Sequence, residues 1–176
     1  TKPATARTVY RVGSVSKLLT DLAIMQCVEQ GLVDLDAPVT SYDEAFAPEN
    51  PFGKPITLRQ LASHQAGIVR EPPVGHYFDP TEPSLRQTVR SLNRTRLVYE
   101  PATRTKYSNA GVAVIGQVLA NVTKQSFEQA VLENVLQPRG MTDSRFDLNA
   151  TLRERLAEAV MWTHDGRKFA APTFEL

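Results

Sequence analysis

Ser14-Val15-Ser16-Lys17-Leu18-Leu19-Thr20-Asp21-Leu22-Ala23-Ile24-Met25-Gln26-Cys27-Val28-Glu29-Gln30-Gly31 is the stretch on which the fold turns. It holds no helix breaker until Gly31, a natural C-terminal stop, so it predicts a helix over 14–30. Val15, Leu18, Leu19, Leu22, Ala23, Ile24, Met25, Cys27 and Val28 cover most of its circumference. A helix apolar nearly all round is expected inside a core, where its polar groups are carried at a cost. Ser14 and Lys17 lie three apart and share a face, so their side chains can meet. A serine hydroxyl is a weak nucleophile until a base sits within hydrogen-bond reach. Burial in an apolar helix disfavours a charged ammonium, as a general base requires. Ser14 also lies at the helix N-terminus, where free N–H groups favour developing negative charge. The plainer alternative is an N-capping serine followed by a lysine that snorkels to the surface.

Outward from this helix the signals are local. Val9 to Val12 are rich in strand formers and run into a turn at Gly13. Thr57 and Gln60 form a capping box ahead of Leu58 and Leu61, and residues 64–67 close that short helix. Four prolines between Val69 and Pro83 mark an irregular surface excursion. Leu85, Val89 and Leu92 recur at i, i+4 and i+7, a one-sided helix. Tyr107-Ser108-Asn109 then stands before an apolar helix marked by Val112, Ile115, Val118 and Leu119. A phenol can relay a proton and an amide can orient a carbonyl, so this triplet is a second candidate element. Its plainer alternative is a turn tyrosine followed by an N-capping asparagine. Ser126 with Gln129, and Thr151 with Glu154, predict two further helix starts, the first closed by Pro138 and Gly140.

Composition removes several classes of function. A net charge of +1 gives no footprint for nucleic acid or an anionic membrane. No apolar run approaches a membrane span. Cys27 is the single cysteine, which excludes an intrachain disulfide and a cysteine-rich metal site. His64, His76 and His164 have no ligand-like spacing, and neither a metal nor a cofactor is expected.

Taken in order, several stretches resemble the serine β-lactamase-like superfamily, in the branch of class C β-lactamases, carboxylesterases and DD-peptidases. The first runs from Tyr10 through Ser14 and Lys17 to Val39. Ile56 to Gly67, Tyr107 to Gly116 and Ser126 to Ser144 follow in the family's order. The resemblance implies an α+β, β-lactamase/transpeptidase-like fold and a serine hydrolase that works through an acyl-enzyme on a small-molecule ester, amide or β-lactam. It implies Ser14 as nucleophile and Lys17 as base or proton carrier. Tyr107 would pass the proton to the leaving group and recover it from the deacylating water. Asn109 would hold the substrate carbonyl and Lys17, and the Ser14 N–H would supply half an oxyanion hole. Tyr-Ser-Asn, where class A enzymes carry Ser-Asp-Asn, points to the class C and esterase branch. A periplasmic or secreted location is implied on the same ground alone. The alternative is an acylated sensor that does not turn over, or an inactive scaffold.

Three departures shape the expectations. The family's third motif, Lys/His-Thr/Ser-Gly on an edge strand, has no counterpart beyond His164-Asp165-Gly166, whose flanks do not read as a buried strand. Residues 1–176 are therefore expected to be a partial domain, mainly the helical part and the nucleophile helix, without the N-terminal hairpin and C-terminal strands. Such a piece should expose apolar surface and call for its remaining part, a complementing chain or a homo-oligomer. Pro101-Ala102 stands where the family often has Pro-Gly, so that turn is expected to differ. Gln65-Ala66 replaces the usual small hydroxyl residues after His64, which reads as structural.

Overall fold

A computed structural model of the chain describes residues 3–77 and 79–171. Among the described residues six α-helices run in order: α1 Ser16–Glu29, α2 Leu58–Ala62, α3 Leu85–Ser91, α4 Asn109–Thr123, α5 Phe127–Val131 and α6 Ala150–Arg153. A two-stranded antiparallel hairpin follows, β1 Val160–Trp162 and β2 Lys168–Ala170, with Val160 opposite Ala170 and Trp162 opposite Lys168.

The core is built on α4. Val114, Ile115, Val118 and Leu119 are at most 1% exposed, and α1, α2, α3 and α5 all pack against this helix. α4 starts where it does because Ser108 accepts the Gly111 N–H at 2.9 Å, an N-cap from the middle residue of the Tyr107–Asn109 triplet. α2 opens with both halves of the predicted Thr57–Gln60 box. α3 opens with an equivalent Ser84–Gln87 box. At α5 only the Ser126 half forms; the helix continues through a π-helical turn, Leu132–Leu136, and a 3-10 turn, Gln137–Arg139, to a left-handed Gly140. The predicted Thr151 start is corrected: Asn149 caps α6, accepting the Leu152 N–H at 2.9 Å.

α1 departs from the expectation of all-round burial. Thr20, Ala23, Ile24 and Cys27 face α4 and α5 and are buried. At ~100° per residue, Val15, Leu18, Leu22 and Met25 fall on the opposite side, and they are 58%, 63%, 45% and 43% exposed. The helix is apolar all round, but the described residues cover one side of it. The expected apolar surface is thus present, and one stripe of it runs along α1. The hairpin adds to it, with Val160, Met161, Trp162 and Phe169 exposed. His164-Asp165-Gly166 forms the turn of that exposed hairpin, away from any buried strand.

Val9 and Leu156 form a parallel bridge, with Val9 N–H donating to Arg155 O at 2.9 Å and Ala157 N–H to Val9 O at 2.8 Å. This ties the segment leading into α1 to the C-terminal part of the described chain. No helix among the described residues is long and apolar enough to cross a membrane.

Candidate active site

Ser14 sits in a 3-10 turn, Gly13–Val15, that leads directly into α1. No side chain caps this turn or α1, so the capping role open to Ser14 on sequence grounds is not the one it takes. Its Oγ lies 2.6 Å from Tyr107 Oη and accepts from Lys17 Nζ at 3.2 Å. Lys17 does not snorkel away: its ammonium stands 5.0 Å from the centre of the Tyr107 ring. Serine, lysine and tyrosine thus converge from the start of α1 and from the residue just outside the α4 cap.

Tyr107 is held from several sides. The His64 ring packs against it with centroids 4.6 Å apart, and the Arg70 guanidinium lies 5.2 Å from its ring centre. Burial is the largest influence on its phenol and pushes the pKa up. Hydrogen bonding from Lys17 and Ser14, with the positive charge of Lys17 and Arg70, outweighs it and leaves the phenol below the ordinary tyrosine value. A phenol so shifted is a better proton acceptor near neutrality than a free tyrosine.

His64 has φ +59 and closes the α2 turn, as expected, but it does more than end a helix. Its Nδ1 accepts the Ser108 N–H at 3.3 Å and its carbonyl accepts the Lys106 N–H at 2.8 Å. Burial first, and the Lys17 charge second, hold the imidazole below its ordinary pKa, with Asp21 pulling the other way. Asp21 follows Lys17 by one helical turn. Burial pushes its carboxyl up, opposed by His64 and Lys17, and its Oδ1 is buried without a partner.

Asn109 differs from both expectations. Ser108 takes the capping role, and Asn109 does not bond Lys17. Its Nδ2 donates to Glu71 Oε1 at 2.7 Å, and its Oδ1 is buried with no partner. The reverse amide orientation would set oxygen against a carboxylate, so the network itself selects this one. The excursion after Gly67 thus supplies two residues, Arg70 and Glu71, that nothing in the sequence pattern marked. A charged pair beside prolines is an ordinary surface signal; only the fold brings it under the Tyr107–Asn109 triplet. Among the described residues no three His, Cys, Asp or Glu side chains gather as a metal-binding group.

Comparison with known proteins bears on the family and the fold. The Beta-lactamase family model matches residues 1–175. Beta-lactamase-like protein 2 of Dictyostelium discoideum is 31% identical over 181 residues, covering 99% of this chain and 32% of its own length. The D-alanyl-D-alanine-carboxypeptidase/endopeptidase AmpH of Escherichia coli K12 is 30% identical over 141 residues, covering 78% of this chain and 37% of its own. Among solved structures, EstCE1, a hydrolase with promiscuous acyltransferase activity, superposes with a TM-score of 0.85 at 29% identity, over 97% of this chain and 47% of its own. The octameric penicillin-binding protein homologue from Pyrococcus abyssi gives 0.84 at 28%, over 97% and 40%. The chain thus spans about a third of the curated relatives it matches and under half of these solved chains. Its mostly helical body, with one small hairpin, is part of a β-lactamase/transpeptidase-type fold. Sequence, fold and the meeting of Ser14, Lys17 and Tyr107 lead to one conclusion: the chain belongs to the beta-lactamase family, within the serine hydrolase superfamily.

Proposed function

We propose that this chain carries the nucleophile half of a serine hydrolase that cleaves a small ester, amide or β-lactam through an acyl-enzyme. The observation that carries the reading is the hydroxyl of Ser14, 2.6 Å from Tyr107 Oη and 3.2 Å from Lys17 Nζ. In the forward step Ser14 Oγ adds to the substrate carbonyl while its proton passes to Tyr107, with Lys17 as the neighbouring cation that steadies the transfer. The tetrahedral oxyanion takes a hydrogen bond from the Ser14 backbone N–H. Tyr107 then gives the proton to the leaving group, and the acyl group stays on Ser14. In the second half Tyr107 takes a proton from water, the water attacks the acyl carbon, and Ser14 Oγ leaves with its proton restored. Asn109 binds the substrate beside its reacting carbonyl, through the unpaired Oδ1 that can accept a substrate N–H or O–H, and no metal or cofactor enters the scheme.

The active form is a larger domain than the described residues, in which further elements cover the Val15–Leu18–Leu22–Met25 side of α1. Support comes from that exposed stripe, since burying each such side chain fully is worth ~1.5–3 kcal/mol. A homo-oligomer or a complementing chain would satisfy it in the same way.

The test is labelling by a fluorophosphonate, read as intact mass in the protein expressed from its whole gene. One adduct is expected in the parent and none in Ser14→Ala. Tyr107→Phe should keep part of the acylation and turn over a p-nitrophenyl ester about 100-fold more slowly, the scale of a lost proton-transfer group. Equal steady-state rates in Tyr107→Phe and parent would remove Tyr107 from the mechanism.

A further inference from the structure

The segment Val69-Arg70-Glu71 meets the Tyr107–Asn109 triplet at every residue. Val69 O accepts the Ser108 hydroxyl at 2.7 Å. Arg70 O accepts both the Asn109 and Ala110 N–H groups, at 2.8 and 3.1 Å, satisfying donors that the first turn of a helix leaves open. Above this backbone the two charged side chains divide. Arg70 turns to the Tyr107 ring, and Glu71 accepts from Asn109 Nδ2. A contact between Arg70 Nε and Glu71 Oε1 at 3.3 Å joins them.

We infer that Arg70 and Glu71 act as a pair of positioning residues, one for the phenol of Tyr107 and one for the amide of Asn109, an assignment that rests on the serine hydrolase reading of this site. The reasoning for Glu71 is chemical. A primary amide carries a donor end and an acceptor end that exchange by a half-turn. A carboxylate takes only the donor end, so Glu71 fixes Asn109 with Oδ1 turned away from it. That oxygen is buried and unpaired, which costs free energy until a donor arrives. The donor that fits is an N–H or O–H brought by the substrate, or the Lys17 ammonium once it moves towards the amide. Without Glu71 the amide can turn over and present N–H instead, the wrong polarity for such a group. Arg70 acts through charge. A guanidinium beside the ring favours the phenolate that forms whenever Tyr107 gives up its proton. The main-chain bonds make the pair one unit: Arg70 cannot move without shifting the first turn of α4 and the residues on either side of its cap.

The test uses kcat and KM for a p-nitrophenyl ester across pH, with fluorophosphonate labelling as a second readout, in the protein from its whole gene. Glu71→Ala should lower kcat/KM about tenfold or more, the usual consequence of a misoriented group. Glu71→Gln, whose amide can turn either end to Asn109, should keep the thermal stability of the parent yet recover only part of that loss. Arg70→Gln should move the acidic limb of the kcat/KM profile up by about half a pH unit, the effect of a unit charge ~5 Å away in near-water screening. A role limited to holding the loop would instead return both stability and kcat/KM to the parental level in Glu71→Gln and leave the profile unmoved in Arg70→Gln. Both side chains reach solvent, so Glu71→Gln and Arg70→Gln carry the test even if Glu71→Ala folds poorly. A parent labelled at Ser14, with Glu71→Ala at parental rate and Arg70→Gln at the parental profile, overturns the positioning roles alone. A parent that takes no label, or a Ser14→Ala variant that takes as much, overturns the hydrolase reading and the pair with it.

Discussion

Replacing Gly67 by alanine should be among the costliest single changes of small size in this chain, and the reason can be separated into parts. Gly67 has φ +74, a left-handed backbone that costs an L-residue ~1–2 kcal/mol. An added Cβ would stand 2.1 Å from Tyr99 O and 3.2 Å from Tyr99 C, both backbone atoms. The segments must then move apart. The Val98 N–H to Gly67 O bond of 2.8 Å would be strained or lost, at ~1 kcal/mol. Displacing packed neighbours adds ~1–3 kcal/mol. The total is ~3–6 kcal/mol, a large fraction of the stability of an ordinary domain. Gly53 provides the control, with φ +73 and nothing within 4 Å of an added Cβ. Gly53→Ala should show the backbone cost less the gain from a stiffer unfolded chain, ~0.5–1 kcal/mol. Urea unfolding of both variants, read as the shift in midpoint at unchanged slope, isolates the close approach of Tyr99. Two variants within ~0.5 kcal/mol of each other would refute the steric argument, since that is the resolution of such comparisons.

Ala102 offers the converse. It holds φ +67, a left-handed conformation that favours glycine, so alanine bears the strain at this turn. Ala102→Gly should stabilise by ~0.5–1 kcal/mol after the extra freedom of the unfolded chain is subtracted, a rise of about 2 °C in Tm by calorimetry; no rise, or a fall, would mean the turn is relaxed with alanine. His64 predicts a pH effect. Its folded pKa lies below the ordinary value, so on acidification the unfolded chain takes the proton first. Its contribution to stability is therefore complete above the ordinary histidine range and is lost as pH falls through that range towards the folded value. Unfolding free energy measured between pH ~7.5 and ~5.5 should decline more steeply in the parent than in His64→Asn, and equal slopes would reject the assignment.

Much of this fold was legible because its signals are local. The Thr57–Gln60 box, the one-sided Leu85–Val89–Leu92 helix and the stop at Gly140 each depend on residues within a few positions of one another. The reach of Ser14 to Lys17 is likewise a property of one helical turn. What the sequence concealed is relational. Periodicity showed that α1 is apolar all round, but not that only its Thr20–Ala23–Ile24–Cys27 side would meet the described core. Capping preference did not decide between Ser108 and Asn109, because both residue types cap helices well. The placement of Arg70, Glu71 and Asp21 around the site arises from contacts made across turns and between helices, which leave no pattern along the chain.

The bond between Ser14 and Tyr107 spans 93 residues and joins the entrance of one helix to the threshold of another. Each helix can form from its own neighbours in microseconds, yet the hydroxyl and the phenol meet only after the long intervening loop is closed, and contacts of that separation are formed late. In the proposed scheme, reactivity at Ser14 is thus a property of the assembled molecule rather than of α1 by itself. On that proposal, a partly unfolded chain would keep its serine quiet, and the chemistry would switch on only once both helix entrances are in place.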